Sequence, residues 1–259
     1  MKLIDYHIHS SNSFDCKTSI DEICKKAIDL NMTEICFTDH FNEPIYTPLD
    51  VETYVSEVRS AQNKYKDKLI IKCGLEIAEP FRNPDEIKVI TDKYDFDFLL
   101  GSVHNVENKK LRLYMAKKER LPIYEGYFNE VYKIAKYADV DVLAHFDLMK
   151  RYALDYCGNY EFNYFEERIK DILSILVERK IGLEINTSGL RSSLKETFPK
   201  VEILKLYKDL GGEIITIGSD SHKSKYLSYG YEEAINLLKS LGFNHIYKFT
   251  KRVPEKIKI

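Results

Sequence analysis

Asp5-Tyr6-His7-Ile8-His9-Ser10, preceded by the apolar pair Leu3-Ile4, is the stretch on which the fold turns. An apolar start running into polar residues reads as a short buried strand that ends at a site. Residues two apart in a strand project to the same face. His7 and His9 therefore aim two imidazoles at one point, and Ile8 faces the opposite side. Two neutral imidazoles repel no charge and offer two nitrogen donors, an arrangement suited to a divalent metal ion. A single His-x-His is a modest signal, and its weight comes from where the other histidines fall.

Moving outward, a capping-box pattern at Ser19-Ile20-Asp21-Glu22 opens a helix that runs to about Asn31. Residues 34–38 form the next strand and empty into Asp39-His40. Helical spacing over 50–66 precedes a strand over 69–77 that carries Glu76, then a helix from Pro84 to Tyr94 and a strand over 96–103 that delivers His104. The basic segment 105–120 is expected to be a solvated loop, although its place after a strand would let it steer an anionic substrate. A helix over 122–137 leads to a strand over 141–144 that ends at His145. Helix 161–180, strand 182–185, helix 199–210 and strand 213–217 follow, the last releasing Gly218-Ser219-Asp220-Ser221-His222. A helix over 231–241 and one or two extended pieces after Asn244 complete the chain.

With 259 residues, 44% apolar and 31% charged, the composition is that of a soluble globular protein with one substantial core. No repeat or linker cuts it, so a single domain over 1–259 is expected. A net charge of −2 favours neither nucleic acid nor an acidic membrane as partner. No apolar run approaches the length of a membrane span, and acidic and histidine residues arrive too early for a signal peptide. Five cysteines without a Cys-x-x-Cys argue for reduced thiols and a cytoplasmic location.

Strand and helix alternating seven times means parallel strands with crossover helices, in an open sheet or a closed barrel. The polar residues decide between these. His7, His9, His40, Glu76, His104, His145, Asp220 and His222 all fall at or just beyond a strand end. Of the seven histidines only His245 lies elsewhere. Any one strand-end histidine is ordinary, but the whole set is hard to explain except by convergence. An open sheet keeps its first and last strands apart; a closed barrel brings every C-terminal strand end to one mouth. The fold expected is therefore an α/β, TIM-like barrel with a metal site at its C-terminal mouth. The ligand set exceeds the needs of one ion, so more than one metal is expected. Its nitrogen and oxygen donors fit zinc, manganese or iron.

His7-Ile8-His9, Thr38-Asp39-His40, Gly74-Leu75-Glu76, Gly101-Ser102-Val103-His104, Ala144-His145 and Gly218-Ser219-Asp220-Ser221-His222 resemble, in order, the motifs of the PHP (polymerase and histidinol phosphatase) superfamily. Gly101-Ser102-Val103-His104, residues 145–152 and residues 184–191 resemble its histidinol-phosphate phosphatase branch in particular. The resemblance implies a distorted seven-stranded (β/α) barrel with three divalent metal ions. One ion would take His7, His9, Glu76 and Asp220; a second would take Glu76, His104 and His145; the third would take His40, His222 and Asp15. Asp15 stands where some members have histidine, and Ala144 where glycine is common.

Such a cluster activates a water as hydroxide and clamps a phosphoryl oxygen, which suits in-line hydrolysis of a phosphate ester. Arg151 and Arg191, at positions matching the phosphatase branch, can bind the phosphate through their guanidinium forks. Substituting Arg191 by alanine is then expected to weaken turnover and leave metal content unchanged. Asp39 is expected to orient His40. A metal-held water, Asp220 or His222 would protonate the leaving group. The expected activity is metal-dependent phosphomonoester hydrolysis, with L-histidinol phosphate as the substrate the resemblance implies. A phosphodiesterase or exonuclease of the same superfamily, another small-molecule phosphatase and a non-catalytic metal-binding protein are the alternatives.

Overall fold

The structure is a computed structural model that describes residues 2–41 and 48–259. Seven strands, Ile4–Ile8, Glu34–Phe37, Ile70–Ala78, Phe98–Ser102, Val142–Leu143, Gly182–Asn186 and Ile215–Gly218, pair in parallel in chain order. The two-residue strand His40–Phe41 adds to the third of these. The seam between the first and last strands closes at the C-terminal end only. Ile8 bridges Ser221, and the His9 amide donates to the Ser221 carbonyl at 3.0 Å. Below that, the buried Asp5 carboxylate accepts from the Ser219 and Ser228 amides, each at 2.9 Å. The sheet is thus a nearly closed barrel, with its tightest join beside the expected metal ligands.

A register shift between Asp5 and Ile8 modifies the simple alternation of the first strand. Tyr6 packs edge-on against Phe98 at 5.3 Å, and His7 bonds Glu184 at 2.6 Å. Both partners lie on strands that do not pair with the first, so both contacts cross the barrel interior. A bulge is the usual way for two consecutive side chains to face one side of a sheet. Here it places Tyr6 below in the apolar core and His7 above in the mouth.

The chain end plugs the lower opening. Strands His245–Thr250 and Val253–Lys258 form an antiparallel hairpin. Its Phe249 ring lies 5.0 Å from Phe98, and the Phe249 amide donates to the Tyr6 hydroxyl at 2.9 Å. Between strands and outer helices, Ile8, Leu75 and Leu99 pack with Ile23 and Val58 on one side of the barrel. Leu183 and Ile217 pack with helix residues such as Ile134 and Leu173 on the other. Ser19 and Asp50 cap the helices Ile20–Asp29 and Val51–Tyr65, as their side chains suggest.

Three segments differ from expectation. Residues 105–120 are not an irregular loop: Asn105–Val106 and Lys109–Lys110 make a tight hairpin around Glu107 and Asn108, both at positive φ, and the short helix Leu111–Tyr114 follows. Helix Met149–Cys157 has no counterpart in the sequence reading. Its pattern was hidden by Lys150, which is fully buried; the ammonium sits 2.8 Å from the Thr197 carbonyl and 3.1 Å from Asp147. A charge that reads as solvent-facing is here a core residue with its donors met. Helix Val201–Asp209 starts after Pro199, because Phe198 is held extended by its bridge to Asn186. No helix among the described residues is long and apolar enough to cross a membrane.

Candidate metal centre

Glu76, near the end of the third strand and buried, stands at the middle of the mouth. Its Oε1 lies 2.9 Å from His145 Nε2 and 3.2 Å from His104 Nε2. Its Oε2 lies 2.9 Å from His40 Nδ1, 3.4 Å from His7 Nε2 and 3.5 Å from His9 Nε2. Five imidazoles from four strand ends therefore meet on one carboxylate. Glu76 bridges two halves of the cluster through its two oxygens.

Asp220 and His222 reach the cluster by a turn rather than by strand alternation. The seventh strand ends at Gly218, and Asp220 takes a left-handed backbone, φ 52°. This brings Asp220 Oδ1 within 3.5 Å of His9 Nε2 and 3.4 Å of His222 Nδ1. On the outer side Asp15 Oδ2 faces His222 Nε2 at 3.2 Å and His40 Nε2 at 3.4 Å. All nine candidate ligands thus lie in one mouth.

The supporting groups are less as expected. Asp39 makes no hydrogen bond to the His40 ring. It accepts from the Ser10 amide at 2.7 Å and from the Ser13 hydroxyl at 2.6 Å. With its proton committed to Asp39, the Ser13 oxygen can accept from His9 Nδ1 at 3.2 Å and from the His40 amide at 3.1 Å. Asp39 therefore acts on the His9 ring, through Ser13. Two buried carboxylates were missed as parts of the site. Glu184 Oε1 meets His7 Nδ1, and its Oε2 accepts from the His145 amide at 2.8 Å. Glu79 accepts from the His104 and Asn105 amides at 2.6 and 2.7 Å. The available signal for Glu184 was an acid between Leu183 and Ile185 in the buried strand Gly182–Asn186.

The charges reinforce one another. Burial by itself favours a neutral His7, but Glu184, Glu76 and Asp220 raise its pKa well above the ordinary value. His40 is likewise opposed by burial and carried up to about 9 by Glu76 and Asp15. Burial pushes Glu76 upward, yet His104, His7 and His40 hold it well below the usual carboxylate range. Asp220 follows the same pattern with His7 and His9. His9 is driven well below its ordinary value, by burial and by His222 and His40.

These residues fit divalent cations. Donor atoms of His7, His9 and Glu76, of His40, Glu76 and His104, and of His9, His40 and His222 each lie within 4.8 Å of one another. His40 Nδ1 and Glu76 Oε2 are buried without a hydrogen bond, although they are only 2.9 Å apart. Buried polar atoms left in this condition are costly, and a bound ion would satisfy them. Imidazole and carboxylate donors without thiolate match zinc and comparable metals.

Above the ligands lies a cavity of about 370 Å³ lined by Phe14, Tyr152 and the cations Lys110, Arg112, Arg151 and Arg191. The segment expected to be solvated therefore contributes two of those four charges. Arg151 donates to the Ser188 hydroxyl and stacks on Phe198 at 4.8 Å. Arg191 donates from both terminal nitrogens, to the Ser219 and Asp220 carbonyls, each at 2.6 Å.

Comparison with known proteins gives a consistent picture. The histidinol-phosphatase of Lactococcus lactis subsp. lactis is 30% identical, covering 100% of this chain and 98% of its own. A protein of Clostridium acetobutylicum named "probable histidinol-phosphatase" is 30% identical, covering 97% and 98%. The crystal structure of the Lactococcus lactis histidinol phosphate phosphatase, complexed with zinc, L-histidinol and phosphate, superposes with a TM-score of 0.90 at 29% identity, over 98% of this chain and 99% of that one. The sequence also matches the PHP domain over residues 5–188, more than half its length. The chain belongs to the PHP domain family.

Proposed function

We propose that this protein is a metal-dependent phosphomonoesterase that hydrolyses L-histidinol phosphate to L-histidinol and phosphate. The observation that carries the reading is Glu76, whose two oxygens face two different sets of imidazoles beneath a cavity lined by four cations. Likeness to the Lactococcus lactis protein, along nearly the whole of both chains, supports the substrate.

Three ions would be held, by His7, His9, Glu76 and Asp220; by Glu76, His104 and His145; and by Asp15, His40 and His222. Such ions supply charge neutralisation for the phosphoryl group and an activated water. The chain's own residues do the rest. Arg151 and Arg191 bind and orient the phosphate, and Lys110 and Arg112 raise the positive potential that draws a dianion into the mouth. One proton leaves the attacking water and one is needed by the departing alkoxide. Asp220 and His222 both line the cavity and are the side-chain candidates to carry that proton. Asp39 through Ser13 holds the His9 ring in place.

The test is phosphate release from L-histidinol phosphate, an aryl phosphate and a short oligonucleotide, each with and without chelator. Chelator-sensitive hydrolysis of histidinol phosphate in preference to both others is expected. Cleavage of the oligonucleotide alone would make the protein a phosphodiesterase. Inactivity on all three with metal bound would leave a metal-binding protein.

A further inference from the structure

We infer that Glu184 is a positioning residue that selects the metal-binding tautomer of His7 and ties it to His145 on the other side of the cluster. The inference rests on the metal reading above, and its main measurement does not involve turnover.

Glu184 makes two different bonds with its two oxygens. Oε1 lies 2.6 Å from His7 Nδ1, and Oε2 accepts from the His145 backbone amide at 2.8 Å. With a carboxylate oxygen accepting at Nδ1, His7 keeps the proton there, and the proton a metal ion displaces is the one on Nε2. Nε2 is the atom that faces Glu76 at 3.4 Å and Asp220 at 3.9 Å. The other neighbour of His7 Nδ1, Asn186 Nδ2 at 3.5 Å, is a donor and cannot take that proton. Its orientation is set because Asn186 Oδ1 accepts from the Ser188 amide at 3.0 Å.

The second bond bears on backbone geometry. His145 has φ 21°, which histidine seldom adopts, and Glu184 Oε2 holds its amide there. One side chain thus fixes a ring on the first strand and a backbone after the fifth. Gly218 shows how closely this is built. A Cβ there would clash with both Glu184 Oε1 and the His7 Cβ. The seventh strand can pass the Glu184–His7 pair only because residue 218 has no side chain.

Glutamine at 184 is nearly isosteric but cannot serve both partners. If its oxygen faces His7, its amide nitrogen meets the His145 N–H, donor against donor. If it turns over, His7 must move its proton to Nε2 and lose its ligand atom.

The experiment is zinc binding and zinc content per chain for the unaltered protein, Glu184→Gln and Gly218→Ala, with folding checked by circular dichroism. Ring nitrogen shifts of His7 are recorded on the zinc-loaded unaltered chain. Folded E184Q is expected to bind zinc about 10–100-fold more weakly, the usual range for lost outer-shell partners. G218A should behave alike, and His7 should be protonated at Nδ1. Unchanged zinc affinity in folded E184Q, or a His7 ring protonated at Nε2, would overturn the inference. If E184Q fails to fold, the nitrogen shifts of the unaltered chain decide. Absence of phosphatase activity in the unaltered chain would count against the proposed substrate and leave these readouts intact.

Discussion

Arg191 donates from Nη2 to the carbonyl of Asp220 at 2.6 Å, and from Nη1 to that of Ser219 at the same distance. The residue expected to bind phosphate is thus also a brace for the turn that presents Asp220. Its guanidinium lies 4.8 Å from the Tyr226 ring, which fixes its plane. The expectation that alanine at 191 would spare metal content does not fit this geometry. Arg191→Ala should lower kcat/KM by about a hundredfold, as expected for charge-assisted bonds, and should also reduce metal per chain. Arg151→Ala, whose one described hydrogen bond is to Ser188, should lower kcat/KM with metal content maintained. Elemental analysis beside steady-state kinetics separates the two.

Asp15 is the most exposed of the acidic candidates, and it faces both His40 and His222. Asp15→Ala should remove one ion per chain, and Asp15→His should restore it, because imidazole supplies an equivalent donor. Titration with zinc followed by elemental analysis reads the difference.

The pKa pattern sets the pH dependence of metal binding. His40 is raised to about 9, so metal must displace a proton from it below that pH. Apparent affinity should climb about tenfold per pH unit for each proton displaced, and level off above about 9. The sign for folding is the reverse. A histidine raised in the folded chain contributes stability below about 6.5, its ordinary value, and that contribution is lost as pH rises through about 9. Calorimetry in buffers of different ionisation enthalpy gives the protons released; thermal unfolding of the chelated chain gives the second trend.

At the opposite end of the barrel, Tyr6 joins the C-terminal hairpin to the sheet. Its hydroxyl donates to the buried Glu34 carboxylate and accepts from the Phe249 amide at 2.9 Å. Tyr6→Phe leaves both groups without this partner and should destabilise the protein by about 1–3 kcal/mol. Metal content should be unchanged, since Tyr6 lies below the mouth. Urea unfolding beside elemental analysis checks both statements.

The convergence of the ligands was legible in the sequence because parallel strands place their C-terminal ends together, so strand-end polarity reports the mouth directly. The seven strands were found by the same alternation, within two residues at most boundaries. What was illegible depends on packing across the barrel. The bulge that turns both Tyr6 and His7 inward has no local signature in Asp5-Tyr6-His7-Ile8. Glu184 reads as an interruption of an apolar strand until His7 and His145 are brought beside it. Lys150 reads as solvent-facing, and its burial is explained by Asp147 together with the loop carrying Thr197. Asp39 sits next to His40 in sequence yet serves His9, because Ser13 folds back between them.

The central claim is that these ligands hold a multinuclear metal cluster around Glu76. Metal content per chain, combined with anomalous X-ray scattering from a crystal of the purified protein, tests it most directly. The account predicts more than one divalent ion per chain, with anomalous peaks in coordination contact with both oxygens of Glu76. A fully loaded protein carrying a single ion, or ions bound elsewhere on the surface, would contradict it.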